Sequence, residues 1–178
     1  MHKAKKLSLA LLTLPVSGLS FAQNSAGFSY SHIDLKAGLS PSALELNISK
    51  PLTPQLAFIG GFGSELDNDY LLDGGVRFHT PINASMDFIL DGKANLSDKG
   101  KHASTNWGLE VLGGVRFAPA NNIELNAQIG IADYGWSSQT KTQLGGMYQL
   151  TPSLSIGGQA EFNGFYGDQM MVIGRLAF

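Results

Sequence analysis

Polar and apolar residues alternate through most of this chain, in segments of about 9–11 residues, the length at which a tilted strand crosses a lipid bilayer. Glu45, Asn47 and Ser49 share one face of a strand whose other face carries Leu44, Leu46 and Ile48. Between Met86 and Leu96, Asp87, Asp91, Lys93 and Asn95 oppose Met86, Phe88, Leu90, Ala94 and Leu96. Glu110 and Arg116 oppose Trp107, Leu109, Val111, Val115 and Phe117; Gln159 and Glu161 oppose Leu154, Ile156, Ala160 and Phe162. A period of two places each set on its own side of a sheet. The 22 glycines, dispersed through these segments, argue against helices, whose interiors glycine destabilises. Beyond residue 22 no apolar run is long enough for a transmembrane helix, which needs about 18 residues. If the chain crosses a membrane, it does so with strands closed into a barrel, because unpaired backbone groups in lipid are too costly.

The two ends decide which face looks outward. Residues 1–22 combine His2, Lys3, Lys5 and Lys6 with an apolar run from Leu7 to Val16 and small residues at Ser20 and Ala22. This is the pattern of a secretory signal peptide cleaved before Gln23, and the apolar run is too short to span a bilayer. The expected mature domain is 23–178. At the other end, Met170, Val172, Gly174, Leu176 and Phe178 share one face and Arg175 lies on the other. A final strand with an apolar face leaves a bare sheet edge unless it pairs with the first strand of the same chain. Val172, Gly174, Leu176 and Phe178 resemble the C-terminal signal read by the outer-membrane barrel-assembly machinery. A soluble barrel turns its apolar face inward; the export signal and this terminal strand favour the reverse, with charges lining the lumen.

Turns divide the chain into strands. Leu52-Thr53-Pro54, His79-Thr80-Pro81, Ala118-Pro119-Ala120-Asn121-Asn122 and Leu150-Thr151-Pro152 mark tight turns. Gly74-Gly75-Val76-Arg77-Phe78 recurs as Gly113-Gly114-Val115-Arg116-Phe117, with a looser copy at Gly145-Gly146-Met147-Tyr148-Gln149. The expected fold is all-β: a closed antiparallel up-and-down transmembrane β-barrel of ten strands, with eight as the alternative. The strand spans are 27–38, 42–52, 55–66, 70–79, 84–96, 106–118, 123–135, 140–150, 153–165 and 169–178. The tight turns face the periplasm and the other connections face outside. Phe78, Phe117, Tyr148 and Phe178 fall near one rim, Tyr70 and Trp107 near the other, where interfacial girdles belong.

The expected lumen carries His32, Asp34, Lys36, Glu45, Glu65, Asp73, Arg77, Asp87, Asp91, Lys93, Glu110, Arg116, Glu124, Glu161 and Arg175. Opposite charges in a narrow bore are expected to pair, because a buried charge without a partner is hardly tolerated. Arg77, Arg116 and Arg175 stand near the periplasmic ends of their strands and suggest a basic collar. Inward glycines at Gly61, Gly63, Gly75, Gly114, Gly130, Gly145 and Gly157 are expected to widen a bore that ten strands keep narrow.

Other chemistry is thinly represented. The chain has no cysteine, hence no lipoprotein signal, disulfide or thiol site. Its net charge is −2, or −5 without residues 1–22, which makes nucleic acid a poor partner. His102-Ala103-Ser104 has the His-x-Ser spacing of outer-membrane lipid A deacylases, but no acid at a matching distance completes a triad. His32, His79 and His102 are not at metal-ligand spacing, and Asp67-Asn68-Asp69 lacks the rest of a calcium loop. No metal or cofactor is expected.

Phe28-Ser29-Tyr30-Ser31 and Ile173-Gly174-Arg175-Leu176-Ala177-Phe178, with the turns between them, resemble the ends of the small ten-strand outer-membrane β-barrel proteins of Gram-negative bacteria, a porin-like group. The resemblance implies the cell outer membrane as location, its lipid as surroundings and the assembly machinery as transient partner. Members are porin-like, adhesive or envelope-stabilising, and the short outer connections here depart from the adhesive type. The leading expectation is a non-enzymatic barrel with a structural or surface-interaction role. The alternative is a narrow porin-like channel for ions or very small solutes, and a lipid-modifying enzyme using His102 and Ser104 is the minor one. Ligand, oligomeric state and the openness of the lumen are left undecided by the residues.

Overall fold

A computed structural model describes residues 27–65, 69–98 and 105–178. Ten strands, β1 (His32–Gly38), β2 (Ala43–Thr53), β3 (Leu56–Glu65), β4 (Tyr70–Asn83), β5 (Met86–Asp98), β6 (Asn106–Ala120), β7 (Ile123–Asp133), β8 (Ser138–Gln149), β9 (Leu154–Gly164) and β10 (Gly167–Ala177), run up and down. Each pairs antiparallel with its sequence neighbours, and β1 pairs with β10, so the sheet closes into a barrel of ten strands and not eight. Ile33 faces Leu176 and Asp34 faces Arg175 across that seam. Closure removes both bare edges. No helix occurs among the described residues.

The alternation sorts residues as expected, with charges inside. Asp34, Asp87, Asp91, Glu110, Arg116 and Glu161 are buried, while Trp107, Leu109, Val111, Ile129, Ile131, Met170 and Val172 are exposed on the outer wall. Leu176 and Phe178 are likewise exposed. A soluble fold does not leave so continuous an apolar surface in water.

Three spans need correction at the end where the tight turns lie, called here the turn end. Pro51, Pro81 and Pro119 lie inside β2, β4 and β6, which run on to Thr53, Asn83 and Ala120. Register shifts occur at Pro51/Thr53, Pro81/Asn83 and Phe117/Ala120. Proline has no N–H for the ladder, and a bulge is where a strand can hold one. The expected first strand is also too long. Residues 27–30 leave the wall and fold into the mouth, Ser31 keeps one backbone hydrogen bond to Phe178, and β1 begins at His32. Phe28 and Tyr30 are 4% exposed, inside the barrel and not in its girdle.

Four of the inward glycines, Gly75, Gly114, Gly130 and Gly157, stand where a neighbouring strand's carbonyl leaves no room for a Cβ. A Cβ on Gly75 would strike the carbonyl oxygen of Gly92, and one on Gly114 the carbonyl of Ala127. These are the second glycines of the repeated Gly-Gly-Val-Arg-Phe, and they let the neighbouring strand bend across them, a kink that closes a small barrel. The looser copy sits in the opposite phase: Met147 points inward and is 6% exposed, whereas Tyr148 is exposed outside.

Candidate functional site

The strands bring the lumen charges together as two networks. Nearer the loop end, opposite the turn end, Lys93 Nζ lies 3.5 Å from Asp73 and 2.6 Å from Glu110. Lys141 Nζ takes the other Glu110 oxygen at 3.0 Å and Glu161 at 3.3 Å. Gln143 Nε2 donates to Glu161 at 2.6 Å. Acids and bases therefore alternate from β4 through β5, β6 and β8 to β9. The chain of charges skips β7, whose inward residues here are Gly130 and Ala132, and the Lys141 side chain reaches past them to Glu110. Lys36, 3.8 Å from Glu45, also donates to Gln159 Oε1 at 3.2 Å.

Toward the turn end the arginines dominate. Arg77 grips Asp91 with two hydrogen bonds, Nε to Oδ1 at 2.7 Å and Nη2 to Oδ2 at 2.6 Å, and Gln128 donates to the same carboxylate. Arg175 holds Asp34 in the same forked way at 2.7 and 2.9 Å, and its Nη1 donates to Glu124 at 3.1 Å. Arg116 donates to Glu124 from Nε at 3.1 Å and Nη2 at 2.7 Å. Such forks are the strongest ion-pair geometry. The expected basic collar is thus neutralised: each of its arginines is held by an acid, and Glu124 is clasped between two of them. From β1 through β10 and β7 to β6, Asp34–Arg175–Glu124–Arg116 forms a chord across the bore.

The chord divides the turn-end mouth. One half is filled by residues 27–30. The Tyr30 hydroxyl donates to Asp87 at 2.8 Å, its ring stacks on His79 at 3.6 Å, and its carbonyl accepts from Ser49 Oγ at 2.8 Å. His32 Nδ1 donates to the carbonyl of Ser29 at 3.2 Å. The Arg116 guanidinium carbon lies 4.6 Å from the ring centres of both Phe28 and Tyr30, so the cation is held against two aromatic faces. Burial raises the Tyr30 phenol above its ordinary pKa, so it stays protonated as the donor to Asp87. Beneath it, Phe28, Tyr30, Ala57 and Ile89 form an apolar cluster.

An open vestibule of about 440 Å³ at the turn end is lined by Ile123, Met147, Gln149 and Ser155, has Glu124 and Arg175 in its wall, and reaches across to Gly27, Phe28 and Ser29. A second cavity of about 100 Å³ lies in the middle of the bore among His32, Lys36, Asp73, Asp91, Lys93 and Gln128. Glu124 and Arg175 line both cavities. They are the partition between them.

At the loop end, two short connections turn aromatic side chains inward. Phe165 packs edge-on against Tyr134 at 5.3 Å and against Tyr166 at 4.7 Å, with Trp136 at 5.6 Å. Tyr134, Phe165 and Tyr166 are buried with Ala43 and Ala132.

Sequence reasoning names Asp34, Lys36, Glu45, Asp73, Arg77, Asp87, Asp91, Lys93, Glu110, Arg116, Glu161 and Arg175 as lumen residues; Asp34, Asp87, Asp91, Glu110, Arg116 and Glu161 are buried, and Lys36, Glu45, Asp73, Arg77, Lys93 and Arg175 stand in the ion pairs described above. The same reasoning missed Lys141, the glutamines that extend the networks, and the inward aromatic cluster. His102 and Ser104 lie outside the described residues, as do Asp67 and Asn68.

No protein-family model and no curated protein matches the chain. Among solved structures it is similar to the KdgM porin in complex with disordered oligogalacturonate, at 9% identity and a TM-score of 0.55, over 83% of this chain and 99% of that one. It is similar also to a second KdgM porin structure, at 8% identity and a TM-score of 0.52, over 83% and 99% of the two chains. These likenesses show the fold alone, a closed β-barrel similar to that of the KdgM porin.

Proposed function

We propose that this protein is a narrow outer-membrane channel for ions and very small solutes, with its turn end toward the periplasm and its loop end outside. The observation that carries the reading is the pair of cavities, about 100 and about 440 Å³, in line along the bore and parted by Glu124 and Arg175. A barrel with a purely structural role has no need of polar cavities on its axis. The fold shared with a porin supports the channel over the structural reading. In this proposal residues 1–22 are the leader removed on export, and the exposed apolar wall faces lipid.

The solute is small and is not a polyanion. The KdgM porin is found in complex with an oligogalacturonate, and a chain of carboxylates needs a run of available cations. Here Arg77, Arg116 and Arg175 are each taken up by a carboxylate. Charged rings in a narrow bore select by sign and size.

The test is single-channel recording from protein refolded into planar bilayers, with heat-dependent gel mobility as the check on folding. Arg175→Ala removes the partition and leaves Asp34 and Glu124 with one cation fewer. It is expected to raise unit conductance several-fold and to shift selectivity toward cations. A folded Arg175→Ala barrel that passes no current across a range of salts overturns the channel reading.

The membrane setting has its own test. Val111 lies midway along β6 and is 54% exposed on the outer wall. Val111→Arg is expected to cost about 2–4 kcal/mol of folding free energy in lipid, as a cation does at the bilayer midplane. A barrel standing in water would accept that arginine with little change, so an unaltered urea midpoint in liposomes contradicts the lipid-facing assignment.

A further inference from the structure

We infer that residues Gly27–Tyr30 are a plug tethered at Ser31: they close one half of the turn-end mouth, and their withdrawal opens it. The inference rests on the channel reading and supplies its regulation.

The segment is inside the barrel but not part of its wall. It precedes β1 and adds no strand to the closed ring of ten. Side chains of five strands contact it: His32 from β1, Ser49 from β2, His79 from β4, Asp87 from β5 and Arg116 from β6. Ser31 is the hinge, its carbonyl accepting from the Phe178 backbone N–H at 3.1 Å; the side-chain contacts upstream of it can be given up without opening the ladders that β1 makes with β10 and β2. Local openings of this kind draw on the least stable parts of a fold.

The contacts that would be lost are replaceable ones. Arg116 gives up two aromatic faces but keeps both of its hydrogen bonds to Glu124. Asp87 gives up one phenol, and Ser49 one carbonyl. Water entering the vacated half can take over each of these. At the upstream end Gly27 has a φ of +78°, a conformation glycine adopts without strain, and a Cβ there would meet nothing within 4 Å.

The position matters as much as the attachment. Ser49, Ile89 and Arg116, which the plug covers, also line the central cavity. Gly27, Phe28 and Ser29 also line the vestibule. With the plug seated, Tyr30 lies against Ser49, Ile89 and Arg116 of the central cavity's lining. With the plug withdrawn, the cavity opens directly to the turn end.

The chain contains no cysteine, which allows a reversible chemical test by single-channel recording on the refolded protein. Phe28→Ser combined with Tyr30→Ser is expected to lengthen the time spent open several-fold over wild type. Phe28→Cys is expected to behave similarly, and reaction with benzyl methanethiosulfonate, which restores a ring, is expected to close it. Methyl methanethiosulfonate, of the same reactivity without the ring, is expected not to. Heat-dependent mobility shows that each variant has folded. Wild type and the double serine variant giving the same current, while Arg175→Ala differs from both, overturns the plug and leaves the channel standing. Silence from every folded variant, Arg175→Ala included, removes the channel and the plug with it.

Discussion

Replacing Glu110 by alanine is expected to lower the stability of the barrel by about 3–5 kcal/mol, because it strands two buried cations. Glu110 has one carboxylate oxygen 2.6 Å from Lys93 and the other 3.0 Å from Lys141. Both lysine side chains are largely buried, at 16% and 5% exposure. Without Glu110, Lys93 retains Asp73 at 3.5 Å and Lys141 retains Glu161 at 3.3 Å, so the loss is large without being total. Added salt is expected to recover little of it, since ions screen buried pairs poorly. Urea titration in detergent micelles, followed by tryptophan fluorescence, measures the effect. A triple replacement, Lys93→Met, Glu110→Leu and Lys141→Met, is expected to be far milder than Glu110→Ala alone. Removing the whole ionic group removes its desolvation cost as well as its attraction. If the triple variant is the worse of the two, the central network stabilises the barrel by more than mutual tolerance.

The second large effect separates two adjacent glycines. Gly114→Val is expected to cost about 3 kcal/mol or to prevent closure altogether, because overpacking against fixed backbone finds no relief. Its Cβ would run into the Ala127 carbonyl oxygen and lie 2.7 Å from the Gln128 Cα. Gly113→Val is expected to be nearly neutral. That position faces outward, and its nearest neighbour is Leu90 Cδ1 at 3.8 Å. Refolding yield in liposomes, read by gel mobility with and without heating, distinguishes the two. Equal yields would mean that the kink at Gly114 is not what lets the wall bend.

Much of this was legible because a membrane barrel writes its two faces into alternate residues. Glu110 and Arg116 opposite Leu109, Val111 and Val115 leave no other reading once the sequence is known to form strands. Lys141 escaped because the first half of β8, Ser138 to Gln143, is polar on both faces and carries no alternation. The span 27–31 was misread for a related reason. Phe28 and Tyr30 alternate with Ser29 and Ser31 in a strand or in an extended plug alike, and period two says nothing about which neighbour is paired. The bends at Gly75 and Gly114 were hidden because a glycine reads the same whether it leaves space or yields to a carbonyl. Tyr134 and Phe165 fell at the ends of the expected strands 123–135 and 153–165, and nothing local shows that the short connections after β7 and β9 turn them inward.

The seam between β1 and β10 has a consequence for how such a barrel is put together. Asp34 and Arg175 are 141 residues apart in the chain, and bringing ends so distant together costs about 4 kcal/mol of chain entropy. Until they meet, Asp34 lacks its guanidinium and Glu124 has only Arg116 to answer it. An unfinished sheet therefore carries two under-neutralised acids on the side that must shed water last. The final strand supplies a single arginine that cancels both. The pair works as a checksum: a barrel with one strand out of register presents Arg175 to the wrong neighbour, and the mismatch marks it as unfinished.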